Sequence, residues 1–265
     1  CMTENLYPEQ GEAIVGSLRA LGATVILPQG LHCCGLPALN SGDVRHGMWM
    51  ARQTIRALEQ CDVDFIVSGS ASCVATLSQD YVHLFRDQPR WLARARKITG
   101  TVRDFTSFID EIGSLAPGSL AHTAPRVVAY HDSCQGLNAL GLDAAPRRIL
   151  RDVLGHDVRD LVESRVCCGF GGSFSFDYPR ISARLMNQKL DDVAATGALE
   201  VVTDNQGCIM QLRGGSDAQG RGFVVRHIAQ LVAEGIEATQ KDRRPIREEA
   251  RQIETDLGGD GSAVI

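Results

Sequence analysis

A pattern of cysteines that occurs twice along the chain constrains the fold more than any other feature. Eight of the nine cysteines form two sets of four, each with a Cys-Cys-Gly triplet between two single cysteines. The first single cysteine stands 32 or 33 positions before the double one, and the last follows it by 39 or 40 positions. The sets are Cys1, Cys33, Cys34 and Cys73, and Cys134, Cys167, Cys168 and Cys208. A period of this kind predicts two copies of one structural unit.

The sequences around the cysteines repeat as well. The segment SLRALGATVILPQG (17–30) parallels ILRDVLGHDVRDLVES (149–164), and VRDFTSFIDEIG (102–113) parallels VRHIAQLVAEGI (225–236). The first copy carries about a dozen extra residues around YVHLFRDQPRWLARARK (81–97), counted from the two aligned copies. We expect this extra segment to be a helical insertion on the surface.

Hydrophobic periodicity predicts an α/β fold. Helical patterns alternate with short apolar runs, which is typical of parallel sheets covered by helices on both faces. We therefore expect two pseudo-symmetric repeats, each a small, mainly parallel sheet flanked by helices and carrying one Cys-Cys-Gly motif. The predicted boundaries are 1–120, 121–240 and a charged, disordered tail at 241–265. Predicted helices cover 43–60, 145–154 and 178–195, and predicted strands cover 24–27, 65–68, 126–130 and 199–203.

The two copies differ at their beginnings. Cys134 follows the predicted strand RVVAY and the tripeptide His-Asp-Ser, whereas no residue precedes Cys1. If the copies are equivalent, the first lacks its opening strand. We therefore expect the sequence to start from a truncated or misassigned N-terminus.

Composition and charge exclude several classes of function. The net charge is −5 and the basic residues are scattered, so we expect no nucleic-acid partner. No apolar run reaches the roughly 18 residues that a membrane span needs, and the first residues do not resemble a secretory signal. The odd number of cysteines argues against a secreted disulfide framework. We expect a cytoplasmic protein with reduced thiols.

The eight repeated cysteines are predicted to bind metal. Two adjacent thiolates followed by a glycine can face one metal centre, because glycine permits a tight turn and a close backbone approach. Four thiolates suit iron or zinc, although structural zinc usually uses Cys-x-x-Cys pairs, which this chain lacks. Cys61 is predicted to be an ordinary core residue. His32 and His131 lie beside cysteines and are either hydrogen-bond donors to the site or ordinary, partly exposed histidines.

These motifs resemble the CCG-domain iron–sulfur proteins, and most closely the lactate utilization protein A family. The resemblance extends to about residue 240. It rests on CMTENLYPEQGEA, LHCCGLPALNSGD, SGSASC, HLFRDQPRW, CCGFGGSFS and DNQGCIMQLRGG. The chain departs from the five-cysteine pattern of the heterodisulfide reductases, because Ser70 and Asn205 stand where that pattern has a further cysteine.

The resemblance implies a subunit of a complex that oxidises L-lactate to pyruvate. It implies up to two iron–sulfur clusters, expected to be [4Fe-4S], held by the eight repeated cysteines. It also implies two partner subunits, one with ferredoxin-like clusters, so the chain is not expected to be active alone. Arg165 or Arg213 would be candidates for binding a substrate carboxylate. The alternatives are a related glycolate, glycerol-phosphate or heterodisulfide oxidoreductase, and a noncatalytic, zinc-stabilised assembly module.

Overall fold

A computed structural model describes residues 2–111, 113, 115–120 and 124–256, with side chains as far as residue 242. Cys1 therefore lies outside the described residues, as does the last part of the predicted tail, 257–265.

The first repeat combines short helices with two short strands. Its helices are α1 (Met2–Asn5), α2 (Pro8–Ala20), α3 (Leu36–Asn40), α4 (Val44–Leu58), α5 (Ala71–Ala75), α6 (Tyr81–Leu84), α7 (Pro89–Thr99) and α8 (Phe105–Glu111). A π-helical segment, Thr76–Asp80, joins α5 to α6, and the strands are β1 (Ile66–Ser68) and β2 (Val102–Asp104).

The second repeat has the larger sheet. Its strands are β3 (Val127–Tyr130), β4 (Asp157–Asp160), β5 (Glu200–Thr203) and β6 (Val224–His227). Its helices are α9 (Cys134–Leu140), α10 (Ala144–Arg148), α11 (Phe174–Asp177), α12 (Pro179–Ala195), α13 (Gln206–Gln219) and α14 (Ile228–Asp256), and a π-helical segment, Ile149–Val153, extends α10. The last helix continues well into the segment that we predicted to be a disordered tail.

All strand pairs of both sheets are parallel. Strands β1 and β2 form one sheet, and the other has the order β4-β3-β5-β6. This arrangement confirms the predicted α/β class with two repeats. Since β3 connects to β4 on one side and the chain then crosses to β5 on the other, the strand order reverses between β3 and β5. Such a reversal opens a crevice at the carboxyl ends of the strands.

Two predictions about the first repeat are wrong. Residues 24–27 form no strand. Their counterpart β4 is held by hydrogen bonds to β3, and the described part of the first repeat contains no strand equivalent to β3. The insertion at 81–97 is helical, as predicted, but it is not a surface addition. Tyr81, Phe85 and Ala95 are completely buried and pack in the core of the first repeat.

The two repeats share a hydrophobic core. Helix α2 lies along α14, so Ile14 and Leu18 pack with Val128, Val202 and other apolar residues of the second repeat. Phe105 and Ile109 of α8 join the same cluster. The boundary at 120/121 stays a prediction, but this shared burial argues against two units that fold independently.

Among the described residues, no helix combines the length and the apolar character needed to cross a membrane.

Candidate metal centres

The four cysteines of the second set meet at the crevice between β3 and β5. Cys134 begins α9 just after β3, where the Ser133 hydroxyl accepts a hydrogen bond from the Gly136 amide (3.1 Å). Cys208 lies in the first turn of α13, just after β5. Cys167 and Cys168 come from the turn between β4 and α11. Because parallel strands place their carboxyl ends at one edge, side chains that are far apart in sequence converge here.

The thiols of this second site form a chain of hydrogen bonds that runs from Cys134 through Cys167 and Cys168 to Cys208. Hydrogen bonds from both neighbours lower the pKa of Cys167. The hydrogen bond with Cys168 likewise lowers the pKa of Cys208 to about 6. The pKa of the other two thiols is raised, mainly because each donates to Cys167. The site therefore alternates thiols with ready thiolates, which are the form that binds metal.

A glycine after each double cysteine allows the turn to pack against a helix. Gly169 has φ +89°, and a Cβ there would lie 2.5 Å from the Ser182 carbonyl oxygen. Its amide donates to the Cys167 sulfur at 3.3 Å. Gly35 has φ +94°, and its Cβ would lie 3.1 Å from the Gly47 carbonyl oxygen. A side chain is disfavoured at both positions because this backbone region is costly for any residue but glycine.

The first site brings together Cys33, Cys34 and Cys73. The Cys34 and Cys73 sulfurs are 3.7 Å apart. The hydrogen bond with Cys34 lowers the pKa of Cys33 to about 6 and also lowers the pKa of Cys73. The buried Tyr81 hydroxyl donates to the Cys34 carbonyl at 2.7 Å and holds the turn in place. Three of the four predicted ligands thus converge, and the fourth, Cys1, is not among the described residues.

Cys61 belongs to neither site. It is half-buried just after α4, and its thiol donates to the Ala57 carbonyl of that helix at 3.9 Å. Cys61 was predicted to be an ordinary core residue, but it belongs to none of the hydrophobic core clusters of the described residues.

His131 is a member of the second site whose role the sequence left open. It is completely buried, and a ring nitrogen lies within 4.8 Å of the Cys168 and Cys208 sulfurs. The imidazole also helps to lower the pKa of Cys208 through its interaction with that sulfur. His32 is different, because it is exposed and its ring stacks on Trp49 with centroids 5.9 Å apart. The position of His131 next to a strand end and three residues before Cys134 was the only signal for it.

The two alternative arginines, Arg165 and Arg213, lie in different surroundings. Arg165 is exposed. Arg213 donates to the Val225 carbonyl at 2.8 Å and its guanidinium lies 5.3 Å from the centre of the Tyr7 ring. Arg213 therefore serves packing between α13, β6 and the loop before α2.

The donor set fits a thiophilic metal or cluster. The second site offers four sulfurs linked one to the next and a buried imidazole beside two of them, and the first offers three sulfurs. Soft sulfur ligands select zinc or iron–sulfur clusters over hard cations such as Mg²⁺. Both iron and zinc accept such ligands.

The chain resembles known proteins along most of its length. The family model for a cysteine-rich domain, CCG, matches residues 1–78 and 128–213. A protein named Lactate utilization protein A from Exiguobacterium sp. strain AT1b is 35% identical over 236 residues, which cover 89% of this chain and 95% of that protein. Proteins of the same name from Bacillus cereus strain B4264 and Bacillus thuringiensis strain Al Hakam are 34% identical over 232 residues, with 88% and 95% coverage. With two CCG domains matched and these identities along most of its length, the chain belongs to the lactate utilization protein A family of cysteine-rich CCG-domain proteins.

Proposed function

We propose that the chain is the iron–sulfur electron-transfer subunit of a complex that oxidises L-lactate to pyruvate. The observation that carries the proposal is the second site, where four cysteines spread over 75 positions form one continuous group of thiols. The names of the relatives support lactate as the substrate of the complex.

The residues of the second site would hold an iron–sulfur cluster through Cys134, Cys167, Cys168 and Cys208, and such a cluster supplies one-electron redox chemistry. Cys168 and Cys208 are buried, whereas Cys134 is exposed at the surface. The protein therefore shields one side of the site from water and leaves the other side accessible to a redox partner. The Gly169 amide already donates to a site sulfur, which is an interaction that raises the potential of cysteine-ligated iron.

In the first site, Cys33, Cys34 and Cys73 would bind a second cluster together with Cys1. Lactate oxidation releases two electrons, whereas iron–sulfur clusters accept them singly. We propose that partner subunits, one of them carrying ferredoxin-like clusters, supply the lactate-binding site and complete the electron path.

A zinc-stabilised assembly module is the second candidate. His131 favours it, because zinc binds mixed sulfur and imidazole sets and this buried ring lies beside the Cys168 and Cys208 sulfurs. Metal content separates the two proposals. Protein purified without oxygen should be brown and contain iron and acid-labile sulfide in similar amounts. Colourless protein with stoichiometric zinc would contradict the electron-transfer proposal.

Growth experiments test the substrate. Deletion of the gene should slow growth on lactate more than growth on glucose. The purified chain should oxidise lactate only after the partner subunits are added. A defect on glycolate or glycerol phosphate with normal growth on lactate would instead assign the chain to a related oxidoreductase.

A further inference from the structure

The carboxyl ends of strands from both sheets face one another in a buried seam between the repeats. His227, the last residue of β6, donates through Nε2 to the Gly69 carbonyl just after β1 at 2.7 Å. The Gln206 side-chain amide donates to the same carbonyl at 3.1 Å. The Ala71 amide donates to the Asp204 carbonyl at 3.4 Å. These three bonds all join the first repeat to the second.

Two aspartates are buried in this seam, one from each repeat. Asp104 ends β2 and is 3% exposed, and Asp204 follows β5 and is 1% exposed. One carboxylate oxygen of each, Oδ2 of Asp104 and Oδ1 of Asp204, has no hydrogen-bond partner within the described structure. A buried carboxylate oxygen without a partner strongly disfavours the ionised form.

No positive charge in the described part of the seam compensates these carboxyls. The His227 Nδ1 accepts a hydrogen bond from the Ala229 amide (3.1 Å), so the ring is neutral when Nε2 donates to Gly69. Burial also lowers the pKa of His227 to about 4. The nearby Arg147 is held by the Asp132 carboxylate through two bonds of 2.9 Å.

We propose that the pair of Asp104 and Asp204 carries one proton at neutral pH and that this proton is bound to Asp204. The seam is then an internal proton-binding site. The hydrogen-bond partners of the two carboxyls indicate which of them is protonated. Asp104 Oδ1 accepts from the amides of Thr106 (2.7 Å) and Ser107 (3.1 Å), and these bonds stabilise its ionised form. Asp204 instead accepts from the hydroxyl groups of Ser133 and, at 3.3 Å, of Tyr130, and a hydroxyl, unlike an amide, can also accept from a protonated carboxyl.

The electrostatic surroundings agree with this assignment. Burial raises the pKa of Asp204 to about 8, and the negative charge of Asp104 raises it as well. Burial raises the pKa of Asp104 to about 6. Besides His227, the titratable groups that act on the pair are Tyr130 on β3 and Cys208 on α13. Cys208 raises the pKa of Asp204 further, whereas the hydrogen bonds from Ser133 and Tyr130 lower it, and burial outweighs them.

The proton site has a consequence that rests on the proposed function. Asp204 lies four residues before Cys208, so negative charge added at the second site would strengthen proton binding at Asp204. Electron uptake there would then be accompanied by proton uptake in the seam.

Infrared spectroscopy of the purified protein with ¹³C-labelled aspartate tests the proton site directly, because a protonated carboxyl has its own C=O band and bound iron does not obscure it. The unsubstituted protein should show this band at neutral pH and lose it on titration above about pH 8. Asp204→Asn should abolish the band, whereas Asp104→Asn should retain it and shift its titration, since the neighbouring charge is then removed. Asp87→Asn is the control, because its side chain is 89% exposed.

Absence of the band in the unsubstituted protein at neutral pH would overturn the proposal, as would an unchanged titration in Asp104→Asn. The first measurement needs no variant, so a variant that fails to fold does not prevent the test. The redox consequence is measured separately, as the pH dependence of the midpoint potential. A proton band without such a pH dependence would refute the redox consequence and leave the proton site standing.

Discussion

The two cysteine sites use the same Cys-Cys-Gly turn, but the residues behind that turn differ. In the first repeat, the turn rests on neutral hydroxyl groups. Tyr81 donates to the Cys34 carbonyl at 2.7 Å and Thr54 donates to the Cys33 carbonyl at 3.4 Å. In the second repeat, Gly169 packs against Ser182, and the buried Lys189 lies seven residues after Ser182. In the first repeat, Gly35 packs against Gly47, and Thr54 lies seven residues after Gly47. Lys189 and Thr54 therefore occupy corresponding positions behind the two turns.

Lys189 gives the second site a positive charge that the first site lacks at this position. Its ammonium group donates to the Glu163 carbonyl and lies 4.0 Å from the Asp192 carboxylate. Burial lowers the pKa of Lys189, while the negative charge of Asp192 favours its charged form. The two repeats thus keep the same Cys-Cys-Gly turn, although the side chains behind it are neutral in the first repeat and charged in the second.

Loss of a buried cysteine is the largest expected effect and tests whether the sites bind metal separately. Cys168→Ser should remove the metal of the second site, since Cys168 bridges Cys167 and Cys208 in the chain of thiols. Metal bound by the first site should remain. Metal analysis of the purified variant measures the result, with Cys61→Ala as a control that should keep all the metal. Loss of metal from both sites would show that the shared core couples them.

Replacing the glycine of each Cys-Cys-Gly turn by alanine should lower the free energy of unfolding by unequal amounts. Left-handed backbone alone costs a non-glycine residue about 1–2 kcal/mol, so Gly35→Ala should lower the free energy of unfolding by that amount. Gly169→Ala should cost more, because its Cβ meets the Ser182 carbonyl oxygen at 2.5 Å instead of the 3.1 Å found at Gly35. Urea unfolding of both variants measures the difference. Equal losses would mean that helix α12 shifts freely away from the turn.

Two further substitutions compare the side chains that support the turns. Lys189→Met should lower the free energy of unfolding by about 2–3 kcal/mol, because it leaves the Glu163 carbonyl without its charged donor. Thr54→Val removes a long neutral bond and should cost about 1 kcal/mol or less. The same unfolding measurements apply. A larger loss for Thr54→Val would reverse our ranking of the two supports.

The seam adds a dependence of stability on pH. A carboxyl whose pKa is raised in the folded protein stabilises the fold at low pH, and this contribution is lost as pH rises through the folded pKa. The raised pKa values of Asp104 and Asp204, about 6 and about 8, place this loss between about pH 4 and pH 8. Asp204→Asn should flatten the decline in the upper part of that range, as measured by urea unfolding at several pH values.

Much of this protein could be predicted from local sequence alone. The spacing of the cysteines identified the seven described cysteines that the structure brings together in two groups, and hydrophobic periodicity identified β1, β3, β5 and the long helices α4 and α12. These features depend on short-range chemistry, because a strand end, a tight turn and a helix start each have a signal of a few residues. The alternation of helices with apolar strands then sufficed to predict parallel sheets.

What only the tertiary structure decided involves contacts between distant segments. Residues 24–27 have strand-like composition but no neighbouring strand, so they form none. The amphipathic insertion at 81–97 looked like a surface addition until its aromatic residues were seen in the core of the first repeat. His131, Lys189, Asp104 and Asp204 are common polar residues in the sequence, and burial alone gives them their chemistry. Burial depends on which strand ends face one another across the seam, and that follows from long-range packing and not from any local pattern.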